Sequence, residues 1–276
     1  MTEAHDALPP ILRGKRYESP SAFTPESLLR EARRQKSAAV RAVPEVCLLD
    51  PDGDIVRELR ADGRARLHEG WVCYHTELWV FEEGGQALGV VGCAVGASFA
   101  VLVAEELFAS GCRLLVSVTS SGQLVPARQP PYFVLIDRAL RDEGTSYHYL
   151  PPSTYSDAPE HLIEALEGAF EKLDFPVLKG ATWTTDAPFR ETEQAIDSMR
   201  GRGLLAVEME AAALYAFARA RSKPLICFAH VTNQMGQVEG DFEKGRANGT
   251  EDALRVVMAT VRKLGGRGGA SPSSEG

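Results

Sequence analysis

Apolar residues in this chain recur in two rhythms. Short continuous runs at 46–49, 114–118, 177–184, 204–207 and 224–231 have the length and β-branched content of buried strands. Between them, residues 160–173 place Leu162, Ile163, Leu166, Phe170 and Leu173 at helical spacing. Further helices are predicted over 55–60, 99–109, 191–200, 211–220 and 251–264. Residues 71–81 and 87–95 read as a strand pair around Glu82-Glu83-Gly84-Gly85, a hairpin signal. Prolines crowd 125–158 around a short strand at 132–136, which predicts a partly irregular excursion.

The first 24 residues look irregular. Thr24-Pro25-Glu26-Ser27 then predicts a helix start: Thr24 as cap, Pro25 in the first turn, Ser27 at the capping-box position. That helix runs to about Lys36 and carries a basic face, Arg30, Arg33, Arg34 and Lys36, expected to be solvated. Strands alternating with helices predict an α/β fold with a mixed, mostly parallel central sheet flanked by helices. The expected division is an N-terminal extension with one helix (1–40), one α/β domain (41–264) and a Gly/Ser-rich disordered tail (265–276).

Composition narrows the function classes. The 276 residues carry a net charge of -8, with 44% hydrophobic and 25% charged positions. A nucleic-acid binder would need a basic stripe that this balance disfavours. No apolar run is long enough to span a membrane, and the first ten residues lack a basic segment followed by an apolar core. The five cysteines stand far apart with no Cys-x-x-Cys pair, which reads as reduced thiols in a cytoplasmic protein. The six histidines show no metal-ligand spacing, so no metal is expected.

The chemistry gathers at element junctions. Glu208 and Glu210 stand where the run 204–207 gives way to a helix. On an extended chain both would point to one face; in a helix they diverge by about 200°. Acidic residues in a first helical turn also complement the helix dipole, so spacing alone leaves both readings open. Other turns follow strands at Asp50-Pro51-Asp52-Gly53-Asp54, Thr119-Ser120-Ser121-Gly122-Gln123, Thr184-Thr185-Asp186 and Thr232-Asn233. The helix predicted from Ile55 would turn its free amide groups toward an anion. In open α/β sheets ligands bind at the carboxyl ends of strands, which makes one shared pocket plausible.

The segment Val207-Glu208-Met209-Glu210-Ala211-Ala212-Ala213-Leu214-Tyr215 resembles the signature of the nucleoside phosphorylase family. That family includes hexameric purine nucleoside phosphorylases, uridine phosphorylases and methylthioadenosine nucleosidases. The resemblance covers about 46–235. It implies that Met209 and Glu210 bind ribose, with Glu210 catalytic. Gly53-Asp54-Ile55-Val56-Arg57 is similar to the family's Gly-Asp-Pro-x-Arg loop, which implies phosphate binding by Gly53 and Arg57. Ser120 falls on the family's phosphate-touching Ser or Thr, and Gly96 in its glycine-rich turn. Thr184, Thr185 and Asp186 resemble the base-pocket segment. Asn233 falls at the catalytic base contact, where relatives have Asp or Arg. Two phosphate arginines of the family align with Ser117 and Cys73 here.

The resemblance therefore implies phosphorolysis of a purine- or uridine-type (deoxy)ribonucleoside to free base and (deoxy)ribose 1-phosphate. Inorganic phosphate would be co-substrate, no cofactor would be needed, and the protein would be a homodimer or hexamer. Two alternatives stand beside it: a nucleosidase using water, with Asp54 or Glu208 as base, and a non-catalytic nucleoside-binding protein.

Overall fold

The computed structural model describes residues 8–235 and 239–265. Within them the chain forms ten strands and seven α-helices. Helix α1 (Pro25–Lys36) precedes strand β1 (Val46–Asp50), helix α2 (Asp54–Ala61) and strands β2 (Arg66–Leu67), β3 (Leu78–Glu83) and β4 (Gln86–Gly92). Helix α3 (Ala97–Ala109) leads to β5 (Leu114–Gln123), β6 (Tyr132–Asp142) and β7 (Tyr155–Asp157). Then come α4 (Glu160–Ala165), β8 (Val177–Thr185), α5 (Glu193–Gly201) and β9 (Ala206–Glu208). Helix α6 (Ala211–Arg221), β10 (Leu225–Asn233) and α7 (Thr250–Gly265) close the described chain.

The strands form one mixed sheet in the order β10-β6-β8-β9-β5-β1-β4-β3-β2, with β7 paired to β6. Strand β10 also pairs with β5, so β5, β10, β6, β8 and β9 close on themselves and the remaining strands extend as a wing. Closure works because β5 changes partner along one edge. Its first half pairs in parallel with β1, and its end, Gly122-Gln123, pairs antiparallel with Val207-Ala206 of β9. Pairings β1–β4, β1–β5, β5–β10, β6–β8 and β8–β9 are parallel, while β2–β3, β3–β4, β6–β10, β5–β9 and β6–β7 are antiparallel.

Two apolar layers cover the sheet. One joins α3 and α6 to the sheet through Val103, Leu107, Leu214 and Phe217; the other joins α2 and α7 through Ile55, Leu59, Leu254 and Val257. Helix α6 is buried from Ala211 through Ala218, and its alanines let it lie close against β6 and β10. Among the described residues no helix is long and apolar enough to cross a membrane.

Several boundaries depart from the sequence reading. Residues 119–123 are not a turn: β9 and β10 supply backbone partners that carry β5 through Gln123. Residues 71–77 are not strand. There the Trp71 indole donates to Thr76 Oγ1 (3.0 Å) and the His75 N–H to Cys73 Sγ (3.5 Å), local bonds that compete with a ladder. The helix predicted over 160–173 stops at Ala165, and Gly168 then turns left-handed at φ 70°. Strand β6 runs to Asp142 rather than 136, passing a bulge at Asp137 that keeps it paired with β8. The 204–207 strand shrinks to Ala206–Glu208. On α1, Lys36 is exposed as expected, and it also donates to the Val72 and Cys73 carbonyls (3.0 and 2.8 Å). The Gly84-Gly85 hairpin and the Thr24 cap form as expected. The predicted tail 265–276 keeps only Gly265, the end of α7, inside the described residues.

Tyr215 fastens α6 across the β6–β10 seam. Its hydroxyl donates to the Ile136 carbonyl (2.6 Å) and accepts from the Cys227 N–H (3.0 Å), just past the last β6–β10 pair. Tyr215→Phe leaves both backbone groups buried and unpaired, at about 1–3 kcal/mol for an unsatisfied group. Urea unfolding should show a lower midpoint at unchanged slope; an unchanged midpoint removes the seam role.

Candidate active site

Antiparallel pairing of the β5 and β9 ends brings the Glu208–Glu210 junction against Thr119 and Ser120. The two carboxylates then part. Glu208 is the last residue of β9, and its side chain turns back onto the chain. One oxygen accepts from Thr182 Oγ1 (3.0 Å) and Thr184 Oγ1 (2.5 Å), the other from the Glu210 and Ala211 N–H groups (2.7 Å each). This caps the first turn of α6 and ties it to β8. Burial pushes the Glu208 carboxyl up, and its four donors oppose that push. With these bonds made, Glu208 is a structural cap, which settles the ambiguity that spacing left.

Glu210 faces the other way. Its oxygens accept from the Gly96 N–H (2.7 Å) and Thr119 Oγ1 (3.0 Å), and the side chain is only 1% exposed. Burial, with the nearby Glu208 charge, raises its pKa to about 8. Oε2 also accepts from the Met209 N–H, while Oε1 keeps a free lone pair, so the group can accept a further hydroxyl donor without losing either bond. Met209 lies beside it, half-buried, its N–H 3.3 Å from Glu210 Oε2.

The turn after β1 is built on three aspartates. Asp50, buried, accepts from the Gly53 and Val56 N–H groups (3.1 and 2.9 Å), so the amides expected to face an anion are capped from within. Burial raises the Asp50 pKa to about 7. Asp52 Oδ2 accepts from the Ser120 N–H (2.6 Å). Asp54 Oδ1 accepts from Arg57 Nη2 (2.6 Å), and its other oxygen is paired with Lys244. Burial alone would raise Asp54; the bonds from Lys244 and Arg57 outweigh it and lower its pKa. Arg57 also donates to the Asp52 carbonyl (2.8 Å), and Cys93 Sγ lies 4.0 Å from Nη1. Gly53 is in the left-handed region at φ 78°, and a Cβ there would stand 2.6 Å from Cys93 Sγ and 2.8 Å from Arg57 Nη1.

One path of hydrogen bonds thus runs from Arg57 through Asp52 to Ser120, along the chain to Thr119, and on to Glu210. A branch leaves Ser120 Oγ for Thr232 Oγ1 (2.9 Å) and reaches Asn233, whose Nδ2 donates to Thr232 Oγ1 (3.2 Å) and the Ser121 carbonyl (3.4 Å). Five of the sequence candidates, Gly53, Arg57, Ser120, Glu210 and Asn233, therefore share one cluster with Met209 at its edge. The base-pocket candidates are employed otherwise. Thr184 braces Glu208 and accepts from the Ala212 N–H (2.9 Å). Thr185 accepts from the Ala187 N–H (3.2 Å), and exposed Asp186 from the Gly144 N–H (2.8 Å). Ser117 and Cys73 are buried, at 1% and 3% exposure. Clefts of about 1080 and 790 Å3 lie elsewhere, around Lys179 and Arg202 and around Leu102 and Phe108. Among the described residues no group of three His, Cys, Asp or Glu could hold a metal.

Sequence reading passed over Thr119, Thr232 and Lys244. The first two sat inside candidate turns, and their alternation along adjacent strands was the available signal. Lys244 lies in a loop with no periodicity at all.

A family profile described as the phosphorylase superfamily matches residues 45–262. The chain belongs to this superfamily. Among its relatives there, a guanosine phosphorylase of Halorubrum lacusprofundi is 29% identical over 189 residues, 65% of this chain and 78% of the relative. A uridine phosphorylase of Thermococcus kodakarensis is 26% identical over 191 residues, 63% and 68% of the two chains. In fold, the chain is similar to uridine phosphorylase from Vibrio fischeri (TM-score 0.69, 17% identity, 85% of this chain and 99% of that one). It is likewise similar to purine nucleoside phosphorylase from Toxoplasma gondii (TM-score 0.68, 16% identity, 81% and 92%). The superfamily profile begins one residue before β1 and ends within α7, so it spans every element of the cluster.

The buried carboxyls give a pH signature. Asp50 and Glu210 bind a proton more tightly folded than unfolded, so their contribution is complete below about pH 4 and is lost as pH rises through 7 to 8. His230, buried and lowered to about 4, acts oppositely: its contribution is present above 6.5 and is lost as pH falls through 4. Unfolding free energy should therefore decline from about pH 4.5 to 8, by at most about 1.4 kcal/mol per unit for each carboxyl, partly offset by His230 below 6.5, and level off above 8. Glu210→Gln should make that decline shallower in urea titrations, leaving the part due to Asp50. A slope identical to wild type would place the proton uptake elsewhere.

Proposed function

We propose that this protein cleaves the N-glycosidic bond of a (deoxy)ribonucleoside with phosphate, releasing free base and (deoxy)ribose 1-phosphate. What carries the reading is the unbroken path joining a buried carboxylate, Glu210, to the guanidinium of Arg57 through Ser120. Bond breaking leaves positive charge on the sugar and negative charge on the base. A fixed carboxylate on the 2′- and 3′-hydroxyls orients the ribose and stabilises the cationic sugar. Arg57 with Ser120 holds phosphate against C1′, and that alignment supplies much of the acceleration. Asn233 gives up its long bond to the Ser121 carbonyl (3.4 Å) to donate to the departing base; an amide cannot protonate it. With Thr184 committed to Glu208, base recognition rests on Asn233, Thr185 and Asp186.

One observation favours a second reading, hydrolysis. The Asp52 carboxylate sits on the Ser120 amide, where a phosphate oxygen would otherwise be bound, and Ser117 and Cys73 stand where the family resemblance has arginines. A carboxylate at that place could hold and deprotonate water.

A panel of purine and pyrimidine nucleosides, with and without phosphate, separates the readings by free-base release. Release that requires phosphate is the expected result. Release in phosphate-free buffer establishes hydrolysis, and nucleoside binding without release leaves only a binding protein. Glu210→Gln should lower kcat/KM by about 10²-fold or more. Because only ionised Glu210 grips the hydroxyls, wild-type kcat/KM should rise with pH through about 8 and then level off. The same inflection in Glu210→Gln would assign the titration to another group.

A further inference from the structure

Phosphate chemistry with one arginine poses a charge problem. Arg57 is alone among the three arginines that the resemblance implies, and its guanidinium is already neutralised by Asp54. The same carboxylate has a second cation on its other oxygen, Lys244. Arg57 and Lys244 thus converge on two oxygens of one small anion. A phosphate presents neighbouring oxygens to paired donors much as a carboxylate does.

The lysine is held there by its own backbone. The N–H of Glu243 donates to the Thr232 carbonyl (2.8 Å), and Thr232 Oγ1 is bonded to Ser120 Oγ (2.9 Å). Lys244 therefore follows a residue pinned beside the Ser120 segment, and its placement does not hang on Asp54 alone. Gly249, left-handed at φ 82°, packs the far end of this loop against the Lys244 carbonyl and the His230 ring, with no room for a Cβ. The lysine side chain is 26% exposed and Asp54 18%, so neither charge is fully screened by water.

We infer that Lys244 is the second cation of the phosphate subsite, and that Asp54 is an internal anion which phosphate displaces from Arg57 and Lys244. This rests on the phosphorolytic reading above. It makes the subsite near neutral before phosphate enters: two cations face the Asp54 carboxylate, and Asp52 occupies the Ser120 amide. Phosphate then competes with chain carboxylates for donors already in place.

Phosphate kinetics with a cleaved nucleoside, and calorimetric titration with inorganic phosphate, test it. Lys244→Gln should raise the KM for phosphate roughly tenfold or more while the KM for nucleoside moves little, and Lys244→Arg should restore phosphate binding. Asp54→Asn should lower the phosphate KM, because it removes the competitor. If Lys244→Gln leaves phosphate KM unchanged, or if Lys244→Gln and Asp54→Asn raise it equally, the pair only anchors the loop and the inference fails. If wild type releases base without binding phosphate, the phosphorolytic reading itself falls and takes the inference with it. Thermal unfolding of each variant reports loop loosening separately.

Discussion

Four hydrogen bonds into one buried carboxylate, Glu208, organise the functional end of this fold. Two come from the threonine hydroxyls of β8 and two from the first amides of α6. Removing a carboxylate from water costs far more than one hydrogen bond returns, so it is tolerated only where all its lone pairs find donors. Thr182, Thr184 and the opened helix turn meet that condition together. Their joint satisfaction fixes where β9 ends, and therefore which way the next acidic residue looks. With the cap at 208, the chain turns at Met209 and Glu210 reaches Gly96 and, on the adjoining β5, Thr119. A strand two residues longer would put Glu210, not Glu208, at the strand end.

This explains what the sequence made legible. The buried runs of β1, β8 and β10, the Gly-Gly hairpin and the Thr24 cap follow from local pattern, because local rules decide them. Glu210 stood out through a nine-residue resemblance, Arg57 and Ser120 through shorter ones. The role of Glu208 was open, since two carboxylates at i and i+2 look alike until strand and helix limits are known. The barrel closure was hidden as well. An open sheet would align all carboxyl ends on one edge; here β5 and β9 run antiparallel and meet end to end. No periodicity in β5 reports that its last residues change partner.

The misread segments share one cause. Residues 119–123 carry Thr, Ser, Ser, Gly and Gln, a composition typical of turns, yet they are strand because two neighbours pair their backbone. Backbone pairing overrides composition where both edges are covered. Residues 71–77 show the reverse, with Trp71, Val72 and Cys73 buried but folded as coil, because their side chains find local partners first. In both places apolar or polar content foretold burial badly, and the availability of a backbone partner decided the outcome.

Charge at the strand ends carries the same lesson into chemistry. Asp50, Asp52, Asp54, Glu208 and Glu210 crowd a space that a superfamily of phosphate-using enzymes would be expected to keep positive. They do not repel one another apart because each is assigned a different donor: helix amides, the Ser120 amide, a cation pair, the α6 cap, and the Gly96–Thr119 pair. Burial keeps Asp50 and Glu210 partly protonated near neutrality, which lowers the repulsion further. On the proposed function, an anionic substrate would therefore not enter an empty positive pocket. It would enter a set of donors that carboxylates of the chain already use, so its affinity would be a difference between two sets of similar bonds. On the same proposal, small changes in which carboxylate holds which donor would move the balance between phosphate and water, and substitution at Asp52 or Asp54 would have more leverage over the choice of nucleophile than substitution at Glu210.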